Sequence, residues 1–263
     1  MDVSTLAKDY RRDGFVSGVP ILTAEEAAEH RRRLEASEAA HGKLHLNRKM
    51  HTVMTSPHVL ATHPRVLDIV EAMIGPDILI YDVTYIVKEA GTASHVSWHQ
   101  DLTYWGLSDD IQVSMWLALS PATEVSGCMR MIPQSHTQGR LEHEVTDDAS
   151  NVLLQGQTVR GVDEASSVMC QLAPGEASFH HGWTLHASMP NRSDDRRIGL
   201  NVQYLAPHVR QTKHDLDSAM LVRGRDAHGH YKKDQPATSD FEPGAVAHWR
   251  DLDALMKSTQ ATQ

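Results

Sequence analysis

The first third of the chain carries apolar positions at helical spacing. From about residue 78 the texture changes to short alternating runs. LTAEEAAEHRRRLEASEAAHG (22–42) is rich in Ala, Glu, Leu and Arg, with Thr23 placed as N-cap, Glu26 three residues later and Gly42 closing the segment. HPRVLDIVEAMIG (63–75) predicts a second helix, with Pro64 near its start and Gly75 at its end. Residues 1–76 are therefore expected to form a mostly helical support. DILIYDVTYIVKE, SWHQDL, IQVSMWLALS and GCMRMIP then read as strands, rich in β-branched and aromatic residues. A polar stretch, 137–164, interrupts with little pattern. Strand texture resumes in SVMCQLAPGEASFHH, TLHASMP and RIGLNVQYLAP. A helical section followed by about eight short strands fits an antiparallel sandwich or barrel flanked by helices. No break in composition separates the two parts, so one domain spanning 1–263 is expected. Its tail, 208–263, is polar with Gly, Asp and Pro, and is expected to be irregular and to wrap the surface.

Composition narrows the function classes. A net charge of -9 argues against a general nucleic-acid or anionic-membrane surface, though it leaves room for a local basic pocket. The most apolar stretch, RVLDIVEAMIGPDILIYDVTYIV, is broken by Asp68, Glu71, Asp77 and Asp82, and falls short of the roughly 20 clean residues of a membrane span. The N-terminus has no apolar signal core. The two cysteines, Cys128 and Cys170, lie in apolar runs and read as buried free thiols of a reducing compartment. A cytoplasmic protein with a small-molecule substrate is the expectation; oligomeric state is not legible.

Candidate chemistry centres on SWHQDLTYW (97–105). His99 and Asp101 stand two apart in a strand-like run, a spacing that puts both on one face. Two histidines and a carboxylate fill three positions of an octahedron and leave three open, the arrangement of non-haem Fe(II) oxygenases. With 18 His and 34 acidic residues, HxD alone is weak. A third ligand must come from a distant strand, and GEASFHHGWTLHASMPNRSDDRR offers His180, His181 and His186. Arg197, eleven residues beyond His186, opens a strongly apolar strand. A guanidinium there is costly unless paired. A dicarboxylate would pair it; a salt bridge to Asp194 or Asp195 is the structural alternative. Arg196 is the solvent-facing neighbour. Ser188 shares the strand face of His186.

WHQD, WLAL, GCMRMIPQSH, LAPGE, HHGWTLHASMPNRSDDRR and RIGLNVQYL, in this order, resemble the phytanoyl-CoA dioxygenase family from about Tyr10 to Pro207. The RRDGFV opening is similar too. The resemblance implies a double-stranded β-helix, or jelly roll, over 78–207 with helices on one side. It implies Fe(II), 2-oxoglutarate and O2 as cofactor and co-substrates, with His99, Asp101 and His186 as metal ligands. Ser188 and Arg197 would hold the distal carboxylate of 2-oxoglutarate, with Trp116 beside it, and Thr84, Tyr85 and Lys88 are candidates for its inner carboxylate. His180 and His181 are left to supporting or packing roles. Ser126 and Gln134 depart from the family's usual Asn and Gly. Because Asp101 is present, hydroxylation of an unactivated C–H bond, with release of succinate and CO2, is favoured over halogenation. Desaturation or another oxidative outcome uses the same ligands. A zinc-dependent hydrolase or a non-catalytic binding protein are the readings from other classes. Tyr104, Trp105 and Asn201 are candidate substrate contacts and 137–164 a candidate lid. Arg130 and Lys88 are basic residues suited to an anionic substrate.

Overall fold

The structure, a computed structural model, describes residues 2–153, 156–215 and 217–261. In chain order the elements are α1 (Val3–Asp13), β1 (Phe15–Pro20), α2 (Ala24–His41), α3 (Thr55–Ala61), α4 (Pro64–Ile74), β2 (Ile78–Lys88), β3 (Val96–His99), α5 (Leu102–Trp105) and β4 (Gln112–Ala118). They continue with β5 (Met129–Met131), β6 (Val168–Cys170), β7 (Glu176–His180), β8 (His186–Ser188), β9 (Arg197–Leu205), β10 (Ser218–Arg223), β11 (Lys232–Lys233) and α6 (Pro243–Ala261). A large sheet runs β1-β7-β4-β9-β2-β10-β11 and a small one β3-β8-β5-β6. All pairings are antiparallel except β10 with β11. Together the sheets form a jelly roll.

Alternation decides which side chains face which way. In β9, Ile198, Leu200, Val202 and Tyr204 join the main core, as do Val113, Met115 and Leu117 of β4 and Ala177 and Phe179 of β7. This outer face packs under the helices, where Leu67, Ile69 and Val70 of α4 and Leu60 of α3 belong to the same cluster. The opposite, inner face carries Arg197, Gly199, Asn201, Gln203, Trp116, Ser114, Ser178 and His180. The interior of the roll thus carries polar groups beside a smaller apolar cluster that includes Trp116, Ala118, Met129 and Met131, and the main hydrophobic core lies between sheet and helices.

In β2 a bulge sets this parity. Ile80 pairs with Tyr204 but Asp82 with Gln203, so Tyr81 is one residue extra against β9. Ile78 and Ile80 face the helices before it; Val83, Tyr85 and Val87 do so after it. Asp82, Thr84, Ile86 and Lys88 therefore fall on the inner face.

Thr23 caps α2 through a complete capping box: its hydroxyl accepts from Glu26 N at 3.2 Å and its own N–H donates to Glu26 Oε2 at 2.8 Å. Pro64 stands at the start of α4 and Gly75 follows its end.

Three expectations need correction. Phe15–Pro20 is a strand paired with β7, not part of a helical support; Gly18 and Pro20 mask its alternation. The segment 208–263 is not irregular: it adds β10 at the flank of β2 and ends in α6. In α6, Val246, Trp249, Leu252 and Met256 recur near helical spacing, and Leu252 and Met256 are buried. The polar run before it hid that stripe. Finally, β3 ends at His99, so Asp101 lies at the entrance of α5 rather than on a strand. Cys128 and Cys170 are buried and unpaired. No helix among the described residues is long and apolar enough to cross a membrane.

Candidate active site

His99 and His186 face each other directly across the β3–β8 ladder, with ring centroids 4.0 Å apart. His99 Nδ1 lies 2.9 Å from Ser97 O, and His186 Nδ1 2.9 Å from Thr184 O. A carbonyl can only accept, so each Nδ1 carries the proton and each Nε2 keeps its lone pair. Asp101 reaches the same point from the first turn of α5. Its Oδ1 is 3.3 Å from His99 Nε2 and 3.6 Å from His186 Nε2. Metal bonds of about 2.1 Å at right angles separate neighbouring donors by roughly 3 Å, so this set fits an octahedral face with little movement. Its three donor atoms lie within 4.8 Å of one another, and no other such His, Cys, Asp and Glu group occurs among the described residues.

The electrostatics suit a cation. Burial and the neighbouring His99 push His186 down to about 3, so its imidazole is neutral. Burial works to raise the Asp101 carboxyl, but the His186, His180 and His99 imidazoles gathered round it outweigh burial and hold the group well below the usual carboxylate range. His180 projects from the inner face of β7 with Nε2 3.4 Å from Asp101 Oδ2, on the oxygen the other two imidazoles leave free. His181 points away: its Nδ1 accepts from Trp183 N at 3.1 Å, and its Nε2 lies 3.9 Å from Asp110.

Gln100, between the two HxD residues, faces the other way and is fully buried. Its amide donates to Gly139 O at 2.7 Å and Trp183 O at 2.9 Å, and its carbonyl accepts from Leu141 N at 2.7 Å. These bonds fix the turn that swings Asp101 back to the histidines. A sequence reading that treated position 100 as a spacer missed this. Its one signal was a bulky amide where any residue would fill the x of HxD.

Two residues along β8 from His186, at Ser188, a second centre forms. Arg197 on β9 and Lys88 on β2 are register partners, both buried on the inner face. Arg197 Nη1 donates to Gly127 O at 2.5 Å, its guanidinium carbon lies 5.0 Å from the Trp116 ring centroid, and its buried Nε has no partner. Gly199 makes that stacking possible, since a Cβ there would overlap the Trp116 indole. Lys88 Nζ donates to Ser188 O at 3.0 Å, to Ser188 Oγ at 2.8 Å and to Met189 O. Among the described residues no carboxylate is bonded to either side chain. Burial and the adjacent Arg197 lower Lys88 to about 6, and burial lowers Arg197 to about 10. Two buried cations with a spare donor and no acid fit a missing anion.

The Asp194 or Asp195 alternative fails for Arg197. Asp195 is held by Arg31 at 2.6 and 2.7 Å, and Arg197 is turned inward. Arg196 is not simply solvent-facing: it pairs on the outer side with Glu38 at 2.8 Å and Glu89 at 3.0 Å. Asn191 donates to Lys88 O at 3.1 Å and to Asp195 O at 2.8 Å, tying the intervening loop to β2.

Both centres open on one cavity of about 430 Å³. Tyr104, Trp105, Asn201, Trp116 and Lys88 line it, Lys88 beside Arg197 at the end where the distal rather than the inner carboxylate was expected. Thr84 and Tyr85 do not: Thr84 donates to Asp82 at 2.8 Å, and Tyr85 faces the helices. Arg130 is also outside; it pairs with Glu164 at 3.1 Å and covers Trp98. Val152 and Leu153 bring the 137–164 segment to the cavity wall, while residues 154 and 155 lie outside the described residues.

Comparison with known proteins agrees with this geometry. Residues 10–199 match the family model described as phytanoyl-CoA dioxygenase (PhyH). A probable alpha-ketoglutarate-dependent hypophosphite dioxygenase of Stutzerimonas stutzeri is 25% identical over 149 residues, covering 56% of this chain and 52% of that protein. The chain thus spans about half the length of the curated relatives it matches. The solved structure of the non-heme monooxygenase ThoJ, in its apo form, is 32% identical, with a TM-score of 0.85 over 97% of this chain and 96% of that one. CytC3 with Fe(II) and alpha-ketoglutarate shares the fold at 20% identity, with a TM-score of 0.69 over 90% and 94% of the two chains.

Proposed function

Because this chain belongs to the phytanoyl-CoA dioxygenase family, we propose that it is an Fe(II)- and 2-oxoglutarate-dependent dioxygenase that hydroxylates an unactivated C–H bond of a small molecule. The observation that carries this reading is one cavity holding both a His99–Asp101–His186 face and a buried, acid-free Lys88–Arg197 pair.

His99, Asp101 and His186 would hold the iron through two Nε2 atoms and one carboxylate oxygen. Bound there with 2-oxoglutarate and O2, iron supplies the oxidising chemistry, converting 2-oxoglutarate to succinate and CO2 while one oxygen atom enters the substrate. The protein's share is placement. Backbone carbonyls of Ser97 and Thr184 lock the two imidazoles in the metal-binding tautomer. His180 steadies the second oxygen of Asp101. Arg197, over the Trp116 ring, would meet the distal carboxylate of the co-substrate, and Lys88 and Ser188 would close round it. A zinc hydrolase leaves this cationic pair without a task.

Anaerobic addition of Fe(II) and then 2-oxoglutarate should produce a weak visible charge-transfer band. His99→Ala and Asp101→Ala should abolish the band, tight iron binding and turnover together. A succinate-release screen over small molecules, followed by mass detection of one added oxygen, identifies the substrate and separates hydroxylation from desaturation. Full activity in Asp101→Ala overturns the assignment.

A further inference from the structure

The cavity has a second cationic end. Arg48 lines it, almost wholly buried, and Lys257 lines it from α6. Asp82, the partner of Arg48, is six positions from Lys88 on β2, and the same six positions separate their register partners Gln203 and Arg197 on β9. At about 3.3 Å per residue the two ends are roughly 20 Å apart. A five-carbon dicarboxylate is on the order of 6 Å long and cannot reach both. The far end is therefore free for another molecule.

Arg48 is held in place without being saturated. Its Nη2 lies 2.7 Å from Asp82 Oδ2, yet neither Nε nor Nη2 has an aligned hydrogen-bond acceptor. Both oxygens of Asp82 are engaged: Oδ1 accepts from Lys49 N at 2.7 Å, and Oδ2 from Thr84 Oγ1 at 2.8 Å besides facing Arg48. Two of the guanidinium nitrogens are without an aligned acceptor. The Arg48 side chain borders the cavity, and its partnerless Nε and Nη2 lie buried behind that surface.

The backbone of Arg48 is clamped by α6. Trp249 Nε1 donates to Arg48 O at 2.7 Å, and Asp253 Oδ1 accepts from Arg48 N at 2.7 Å. Lys257, one turn on, is positioned by Asp253 Oδ2 at 2.7 Å. Residues 249, 253 and 257 follow at four-residue steps on one helix face. That single face fixes Arg48 and delivers a second positive charge to the same opening. Between the two ends the wall is mostly apolar or aromatic, with Leu46, Val96, Tyr104, Trp105, Val152 and Leu153. Among the described lining residues Asp101 is the sole carboxylate.

We propose that the substrate of this site is a small molecule with an apolar body ending in a carboxylate, which Arg48 grips with help from Lys257, leaving the apolar part beside His99, Asp101 and His186. This deepens the oxygenase reading and rests on it.

The test uses the full chain loaded anaerobically with Fe(II) and saturating 2-oxoglutarate, with octanoate and octan-1-ol as matched probes, read by the visible band and by tryptophan fluorescence. Octanoate is expected to bind at least tenfold more tightly than octanol. Arg48→Met should erase that margin while octanol affinity stays the same, and Lys257→Glu should weaken octanoate at least threefold. Circular dichroism reports whether Arg48→Met folds; if it does not, the exposed Lys257→Glu substitution decides. Equal binding of the two probes, binding of neither, a margin that survives the substitutions, or loss of the band as octanoate displaces 2-oxoglutarate would overturn the proposal. Failure of the band to form before any probe is added is a separate result, and overturns the oxygenase reading instead.

Discussion

Lys88 offers the sharpest test of the co-substrate pocket. Its ammonium lies beside Arg197 with no acid, and its pKa falls from 10.5 to about 6 through burial and that neighbour. The unfolded chain restores 10.5. Between these values the unfolded state binds more protons, so stability rises with pH across the interval from about 6 to 10.5. Each pH unit contributes about 1.4 kcal/mol at most, so raising pH from 7.5 to 9.5 should stabilise the metal-free, co-substrate-free protein by up to about 3 kcal/mol from this group. Lys88→Met should flatten that slope and make the protein more stable at pH 7.5. It should also weaken 2-oxoglutarate binding, by about tenfold or more, because a charge-assisted bond is lost. Denaturant unfolding at pH 7.5, 8.5 and 9.5 measures the slope. Calorimetry of 2-oxoglutarate binding at pH 8, in two buffers of different ionisation enthalpy, measures a second consequence. The bound carboxylate restores the proton that burial removes from Lys88, so wild type should take up roughly one proton and Lys88→Met none. No uptake in wild type, or equal uptake in both, refutes the placement of the co-substrate between these cations.

Arg197→Met should raise the 2-oxoglutarate requirement by at least about thirtyfold, since a buried charge partner contributes roughly 2 kcal/mol or more; a titration of the visible band gives the ratio. Gln100→Leu strands Gly139 O, Trp183 O and Leu141 N, and should cost about 2–4 kcal/mol in denaturant unfolding while also weakening iron binding. Gln134 sits at φ 62, a left-handed backbone that disfavours a β-carbon. Gln134→Gly should therefore raise stability by about 1 kcal/mol, visible as a higher melting temperature.

The inner and outer faces of the large sheet were readable because RIGLNVQYL alternates without error: apolar residues went to the helices and Arg197, Asn201 and Gln203 to the interior. The histidine placement was readable through residue type and order. Asp101 lies with the two histidines, though not by the route its spacing suggests. It meets the histidines through a helical turn anchored by Gln100, not through strand parity, and such an anchor depends on Gly139, Leu141 and Trp183, which are distant in sequence. Thr84, Tyr85 and Lys88 are equal candidates in the sequence; alternation separates only Tyr85 from the other two, and only once the bulge at Tyr81 is seen. The departure at Gln134 was noted, and its positive φ explains why glycine suits that position. Ser126 also departs without disturbing its turn, because its hydroxyl accepts from Thr123 N at 2.8 Å and donates to Pro121 O at 2.9 Å. The terminal strand and helix were obscured by polar, Gly- and Pro-containing connections, and their burial depends on partners far upstream such as Arg48.

The extra residue in β2 has a consequence for how this protein tolerates change. Deleting Tyr81 would bring Ile80 and Asp82 together opposite Tyr204 and Gln203, so the ladder to β9 would close with every flanking side chain on its present side. What such a deletion removes is the anchorage of the inserted residue. The Tyr81 hydroxyl donates to Asp217 Oδ2 at 2.6 Å and accepts from Gln211 Nε2 at 3.0 Å, and its carbonyl accepts from the Lys49 ammonium. The two faces of the strand would persist, while its tie to the C-terminal segment beside β10 would be cut.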